Sequence, residues 1–298
     1  MSGVLLLAGE NIYKAKGNNC MRKDGRRLKT YSPMYQVAAH IMKDRNDATN
    51  LVRVDIPAEP IQKFLNQKRK EGKRYSHLAL YIAAYVRTVS QYPFLNRFVV
   101  NKKIYARNEI AVGMVVLKPG KAEGTMNKMY FEPDATLDDV ERILEEYVSQ
   151  NRGEGDTNVT DDFITKILKV TGVCRIGICL MKWMDKHGLL PRSVIKISPF
   201  HCSLVITNLG SIGTNYIYHH IYNFGTTSMA IAIGNAVEKP KKTKDGIAFE
   251  KCWPWGLSMD ERIGDGCEYA MAFQYLSKVL KNPEVLETPP EKVVEDIP

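Results

Sequence analysis

An α+β fold, a mixed β-sheet flanked by helices in a two-layer sandwich, is what this 298-residue sequence predicts. Two observations carry that expectation. Two helical patterns, 59–71 and 76–91, follow one another before a run of three short strands. Strands and helices then continue without the regular alternation that builds an all-parallel sheet. Internal repeats, low-complexity segments and linkers are absent, and the length suits one large core, so a single domain over 1–298 is expected.

A short helical pattern covers 34–42. Residues 50–56, "NLVRVDI", alternate as a strand does. Over 59–71, Ile61, Phe64 and Leu65 share one helical face and Gly72 closes the helix. Ser76 can cap a second helix through Gln91, with Leu78, Tyr81, Ile82, Tyr85, Val86 and Val89 in register and Pro93 as the stop. Residues 98–100, 103–106 and 110–117 read as strands joined by "NK" and "RNE" turns. Thr136 and Asp139 open a helix to about Gln150 whose core face is Leu137, Val140, Leu144, Tyr147 and Val148. A polar loop over 151–160 precedes helices over 161–171 and 174–187, the latter ending at Gly188. Strands follow at 203–207, 217–224 and 228–237, then a lysine loop and a strand through 257–259. A final helix over 267–280 should bury Ala270, Phe273, Leu276 and Leu280.

Net charge is +9, with basic residues in three groups: Arg22 to Lys29, Lys68 to Arg74, and Lys239, Lys241, Lys242 and Lys244. Such a surface attracts polyanions, phosphorylated cofactors among them. Neither a zinc-finger spacing nor a Gly-X-X-Gly loop nor an aromatic-plus-basic strand appears, so nucleic acid is not expected as a partner. No apolar run reaches the roughly 18–20 residues that span a bilayer, and the apolar opening is too short for a signal peptide. A cytoplasmic protein with no membrane partner is expected. The six cysteines are scattered without metal-site spacing; they read as reduced packing residues, and no metal is expected.

Four stretches, in order, resemble one superfamily, that of chloramphenicol acetyltransferase and the catalytic domain of the 2-oxo acid dehydrogenase acyltransferase component. They are "YPFLNRFVVNKKIYARNEIAVGMVV" (92–116), "VITNLGSIG" (205–213), "NFGTTSMAIAIG" (223–234) and "LSMDERIGDG" (257–266). The resemblance covers about 40–282. It implies a homotrimer with the active site in a channel between subunits, acyl-CoA as donor, and a small hydroxyl, thiol or amine as acceptor. It also implies that Thr207 supplies the oxyanion hydroxyl and that Arg262 and Asp265 form an ion pair ordering the catalytic turn. No N-terminal lipoyl module or Ala/Pro linker is seen, which argues against a role as a dehydrogenase-complex core.

One departure stands at the centre. The family's general base is a His, and here that position is Glu261. Imidazole suits the task because its pKa lies near 6.5; a carboxylate near 4.3 is a weaker base unless burial raises it. Glu261 serves as the base only if its pocket is dry and Arg262 points elsewhere. The alternative is a catalytically silent homologue, a pseudoenzyme that still binds CoA or another small ligand. A second candidate base lies in "IYHHIYNF": alternation puts His219, Ile221 and Asn223 on one face and His220 on the other, so one His should face the acceptor pocket beside Ile221 and Asn223.

Overall fold

The structure, a computed structural model, describes residues 22–117, 124–152, 171–244 and 246–298. Most of the loop expected at 151–160, and the helix expected at 161–171 except its last residue, lie outside the described residues. The first half of the chain gives β1 (Gly25–Arg27), α1 (Pro33–Ile41), β2 (Thr49–Pro57), α2 (Ala58–Lys70), α3 (His77–Gln91), β3 (Arg97–Val100), β4 (Lys103–Arg107), β5 (Ile110–Leu117), β6 (Gly124–Phe131) and α4 (Leu137–Arg152). The second half gives α5 (Thr171–Lys186), α6 (Arg192–Ile197), β7 (Leu204–Asn208), β8 (Met229–Ile233), β9 (Val237–Thr243), β10 (Gly246–Asp260) and α7 (Gly266–Lys281).

The expected caps are present. Ser76 Oγ accepts the Ala79 amide at 3.0 Å, Thr136 and Asp139 bond one another's backbone, and Gly72 and Gly188 take the left-handed conformation that ends their helices. The "NK" turn between β3 and β4 puts Asn101 and Lys102 at positive φ, the geometry of a tight hairpin.

Six strands form the order β2-β10-β8-β7-β5-β6, with β9 paired to the far half of β10 as a seventh strand. The β5–β7 and β7–β8 pairs are parallel and the other pairs of this sheet antiparallel. A second, three-stranded sheet has the order β1-β4-β3. The main sheet and α2, α3, α4 and α7 share one core of apolar side chains. Alternation divides the central strands: Leu204, Ile206, Met229, Ile231, Ile233, Trp255, Leu257 and Met259 enter that core. The intervening positions are small or polar, Ala230, Ala232, Gly256, Ser258 and Asp260.

The small face is what positions the site. The segment 214–228, expected to contain a strand over 217–224, forms no strand. Its alternation is real, with His219 half-buried and Ile221 buried between exposed His220 and Tyr222. But it crosses the small-residue face of the sheet instead of joining an edge. A Cβ at Gly256 would collide with the Ile217 carbonyl, and one at Gly225 (φ +84°) with the Phe200 backbone. Three other expectations change. The lysine loop is half of the β9–β10 hairpin, and β1 and β6 are additional strands. In α7 the buried set is Tyr269, Ala272, Phe273, Leu276, Val279 and Leu280; Ala270 is exposed, because the helix packs through the face one residue round from that expected.

Away from the site, a buried polar chain fastens α5 to β1. Arg22 bonds Asp24 and Asp185 at 2.8 Å each, and His201 Nε2 lies 3.3 Å from Asp185. Ser198 Oγ is 2.7 Å from His201 Nδ1, but the carboxylate is engaged by Arg22, so the trio is a structural tie. Burial alone would raise the Asp185 pKa; contact with His201 and Arg22 outweighs it and brings it down to about 2. A depressed carboxylate stabilises the fold above its unfolded value and loses that contribution as pH falls through the folded one. Denaturant-unfolding free energy should therefore fall between about pH 4 and pH 2, and Asp185→Asn should flatten that slope. An unchanged slope in the variant contradicts the assignment.

Candidate functional site

β10 delivers its last residue, Asp260, fully buried, to the end of the sheet. A single 3-10 turn over Glu261–Ile263 follows, and α7 starts behind it. Glu261 is half-exposed, and its amide donates to the Ala48 carbonyl at 2.8 Å, so the turn is tied to the segment entering β2.

The ion pair that orders the turn differs from the expected one. Arg262 does not meet Asp265: it forks onto Asp260, with Nε and Nη2 each 2.8 Å from a carboxylate oxygen. Its Nη1 reaches the carbonyls of Met42 and Lys43 at 3.3 and 3.4 Å. Asp265 caps α7 instead, accepting the Glu268 amide at 2.8 Å while Glu268 accepts the Asp265 amide at 3.1 Å, a complete capping box. The reason is local. Asp260 is buried two residues before Arg262 and must be neutralised, whereas Asp265 is exposed and its carboxylate is held below its usual range chiefly by the Glu268 backbone amide.

A second arginine completes the site, and no sequence pattern marked it. Arg45, buried in a polar stretch, lies 3.4 Å from Asp260 through Nε. It donates to the carbonyls of Tyr222 (2.6 Å), Val99 (3.2 Å) and Gly225 (3.2 Å). The Asn46 amide donates to Asn223 Oδ1 at 3.1 Å, and the Tyr269 hydroxyl to the Asp260 carbonyl at 2.9 Å. Residues 45–48 thus clasp the Glu261 turn to the 222–225 segment. The Arg45 side chain bonds only to residues distant in sequence, so nothing near it could have flagged it.

The remaining expected residues fall at different places. Ile221 is buried, while Asn223 is exposed with its side-chain oxygen engaged by Asn46. His219 is half-buried; its Nε2 is shielded with no hydrogen-bond partner among the described residues, and burial lowers its pKa, favouring the neutral ring. His220 is exposed. Thr207 sits on β7 in register with Ala232, which is in register with Gly256. Gly256 is five residues before Glu261 along β10, roughly 16 Å at about 3.3 Å per residue. One chain therefore places Thr207 and Glu261 at different levels of the sheet, with the histidine-bearing segment running between. Among the described residues, no group of three or more His, Cys, Asp or Glu side chains is placed to hold a metal.

This mixed sheet, with a turn at the end of its longest strand leading into the last long helix, has the fold of a chloramphenicol acetyltransferase. Residues 201–288 match the family model of the 2-oxoacid dehydrogenases acyltransferase (catalytic domain). That match takes in less than a third of the chain, and over the remainder the chain is similar to solved acyltransferase structures in fold alone. Among solved structures it is similar to a probable dihydrolipoamide acetyltransferase of Listeria monocytogenes 4b F2365, at 15% identity and TM-score 0.55, over 87% of this chain and 95% of that one. It is similar to the cubic core of the pyruvate dehydrogenase multienzyme complex at 13% identity and TM-score 0.57, over 85% and 88%. A chloramphenicol acetyltransferase aligns at 9% identity and TM-score 0.54, over 86% and 99%. No curated protein matches the chain by sequence.

The ion-pair geometry makes a sharp contrast. Asp260→Asn should leave two buried guanidinium groups poorly neutralised and cost about 3–5 kcal/mol. Asp265→Ala removes one helix cap and should cost about 1 kcal/mol. Thermal unfolding of the two variants measures the difference; equal losses would contradict the pairing.

Proposed function

We propose that the chain assembles as a homotrimer and transfers an acyl group from acyl-CoA to a small hydroxyl, thiol or amine acceptor in an inter-subunit channel, with Glu261 as the base. The observation that supports this reading is the diversion of Arg262 into Asp260 and the Met42 and Lys43 carbonyls. Among the described residues no ion pair to Glu261 is formed, so its carboxylate stands at the motif's base position without a bound cation. A neighbouring subunit closing over the turn would dry that carboxylate and strengthen it as a base.

The chemistry then runs as follows. The acceptor lone pair attacks the thioester carbonyl carbon while its proton passes to Glu261. The tetrahedral oxyanion takes a hydrogen bond from Thr207 of the partner subunit, since Thr207 of the same chain lies at another level of the sheet. Collapse breaks the carbon–sulfur bond, and the CoA thiolate leaves with the proton returned by Glu261. On the β9–β10 hairpin, Lys239 and Lys241 pair with Asp55 and Glu250. The exposed Lys242 and Lys244 remain as cations for the polyphosphate of CoA.

A second reading has its own observation. His219 has a shielded, unpartnered Nε2 and a ring kept neutral by burial, which makes it the alternative base.

Release of free CoA thiol from acetyl-CoA with a panel of acceptors tests both readings. Glu261→Gln should lower turnover by roughly 10²–10⁴, and Thr207→Val by roughly 10²–10³. Turnover that survives Glu261→Gln but falls in His219→Gln transfers the role to His219. CoA binding with no turnover under any acceptor leaves the silent homologue. Light scattering should give a trimer, and a stable monomer at micromolar concentration would remove the inter-subunit channel.

A further inference from the structure

The outer surface of α5 sets an exposed apolar row beside a row of cations. Its inward side is short: Asp185 is buried against Arg22, and Gly177, Met181 and Met184 are half-buried. Outward, Ile176 is 71% exposed, Leu180 54% and Trp183 53%, and Leu189 just beyond the helix is 54% exposed. At about 100° per residue, Ile176, Leu180 and Trp183 fall together on one flank of the outer surface, and Arg175, Lys182 and Lys186 on the adjoining flank. All three cations are exposed. The helix's one acidic residue from position 175 onward, Asp185, is turned inward to Arg22, so that no carboxylate of the helix itself from there on offsets the positive charge of that surface.

We infer that α5 is a peripheral docking surface for an anionic lipid bilayer, lying in the interface with Ile176, Leu180 and Trp183 toward the acyl region and Arg175, Lys182 and Lys186 at the headgroups. The charge pattern selects the occupant. An apolar stripe beside a row of basic residues, with a tryptophan between them, is the arrangement of helices that lie in a membrane interface. A second copy of the same surface would bring cation against cation. No helix among the described residues is long and apolar enough to cross a membrane, so the contact is superficial. The absence of a spanning segment, from which no membrane partner was expected, leaves this type of contact open. The Asp185–Arg22 tie holds the helix to the body of the protein, which presents the stripe without unfolding anything.

Trp183 also supplies the reporter, because Trp255 is buried and Trp253 half-buried in the core, leaving Trp183 as the exposed indole. The full chain is sedimented with vesicles of phosphatidylglycerol and phosphatidylcholine, and with phosphatidylcholine alone. Binding should require the anionic lipid, weaken with salt, and shift Trp183 emission to the blue; Trp183→Phe should abolish the shift. Ile176→Asp with Leu180→Asp should weaken partitioning at least about tenfold, and each of Arg175→Glu, Lys182→Glu and Lys186→Glu at least about fivefold, with circular dichroism confirming the native fold. The inference is overturned if the native protein does not sediment with anionic vesicles at low salt. It is also overturned if the Asp variants bind as well as the native chain, which would reduce the effect to charge alone. A change in molar mass with no change in vesicle binding would overturn it too, by making the surface a contact between copies.

Discussion

A single fully buried carboxylate, that of Asp260, organises the functional end of this molecule. It lies between Arg45 and Arg262, and each arginine extends the tie further. Arg262 reaches the Met42 and Lys43 carbonyls after α1. Arg45 reaches Val99, Tyr222 and Gly225. The last strand, the entry to β2, β3 and the histidine-bearing segment are thereby fixed to one anion. Two cations around one anion in a dry site are tolerable only because the guanidinium groups also bond backbone carbonyls. The arrangement also withdraws Arg262 from Glu261, and so leaves the carboxylate of the proposed base without that cation.

The second constraint is steric. Large side chains of β8 and β10 fill the core, and Ala230, Ala232, Gly256 and Ser258 face the other way. That smooth surface lets residues 214–225 approach the sheet closely, which Gly234 and Gly256 make possible by leaving room for the Tyr216 and Ile217 backbone. The segment carries His219 past the level of Thr207 toward the level of Glu261. The two residues of the proposed chemistry are set far apart in one chain, and the proposed trimer is what would bring one copy's hydroxyl to another copy's carboxylate.

Much of the fold was legible where local rules govern. The Ser76 and Thr136 caps, the Gly72 and Gly188 stops and the alternating sequence of β2 each depend on neighbours a few residues away. The Leu-Ser-x-Asp stretch marked the turn for the same reason. What was not legible depends on distant partners. The strand-like 217–224 has the right periodicity but crosses the small-residue face of the sheet, where it pairs with no strand. Lysine-rich β9 has no apolar alternation and exists because β10 pairs with it. The Arg262–Asp265 pair followed from resemblance; burial of Asp260, a tertiary fact, redirected Arg262. Arg45 is silent in sequence because its side-chain bonds are all long-range.

The central claim is that Glu261 and Thr207 act together from different subunits, and subunit complementation tests it most directly. Glu261→Gln and Thr207→Val chains are purified separately, then unfolded together and refolded as mixed trimers, and acetyl-CoA turnover is measured with an acceptor that the native protein uses. The account predicts that each parent trimer is nearly inactive and that the mixture regains turnover, because some interfaces then join an intact Glu261 to an intact Thr207. A mixed preparation that forms trimers yet stays as inactive as its parents would contradict it.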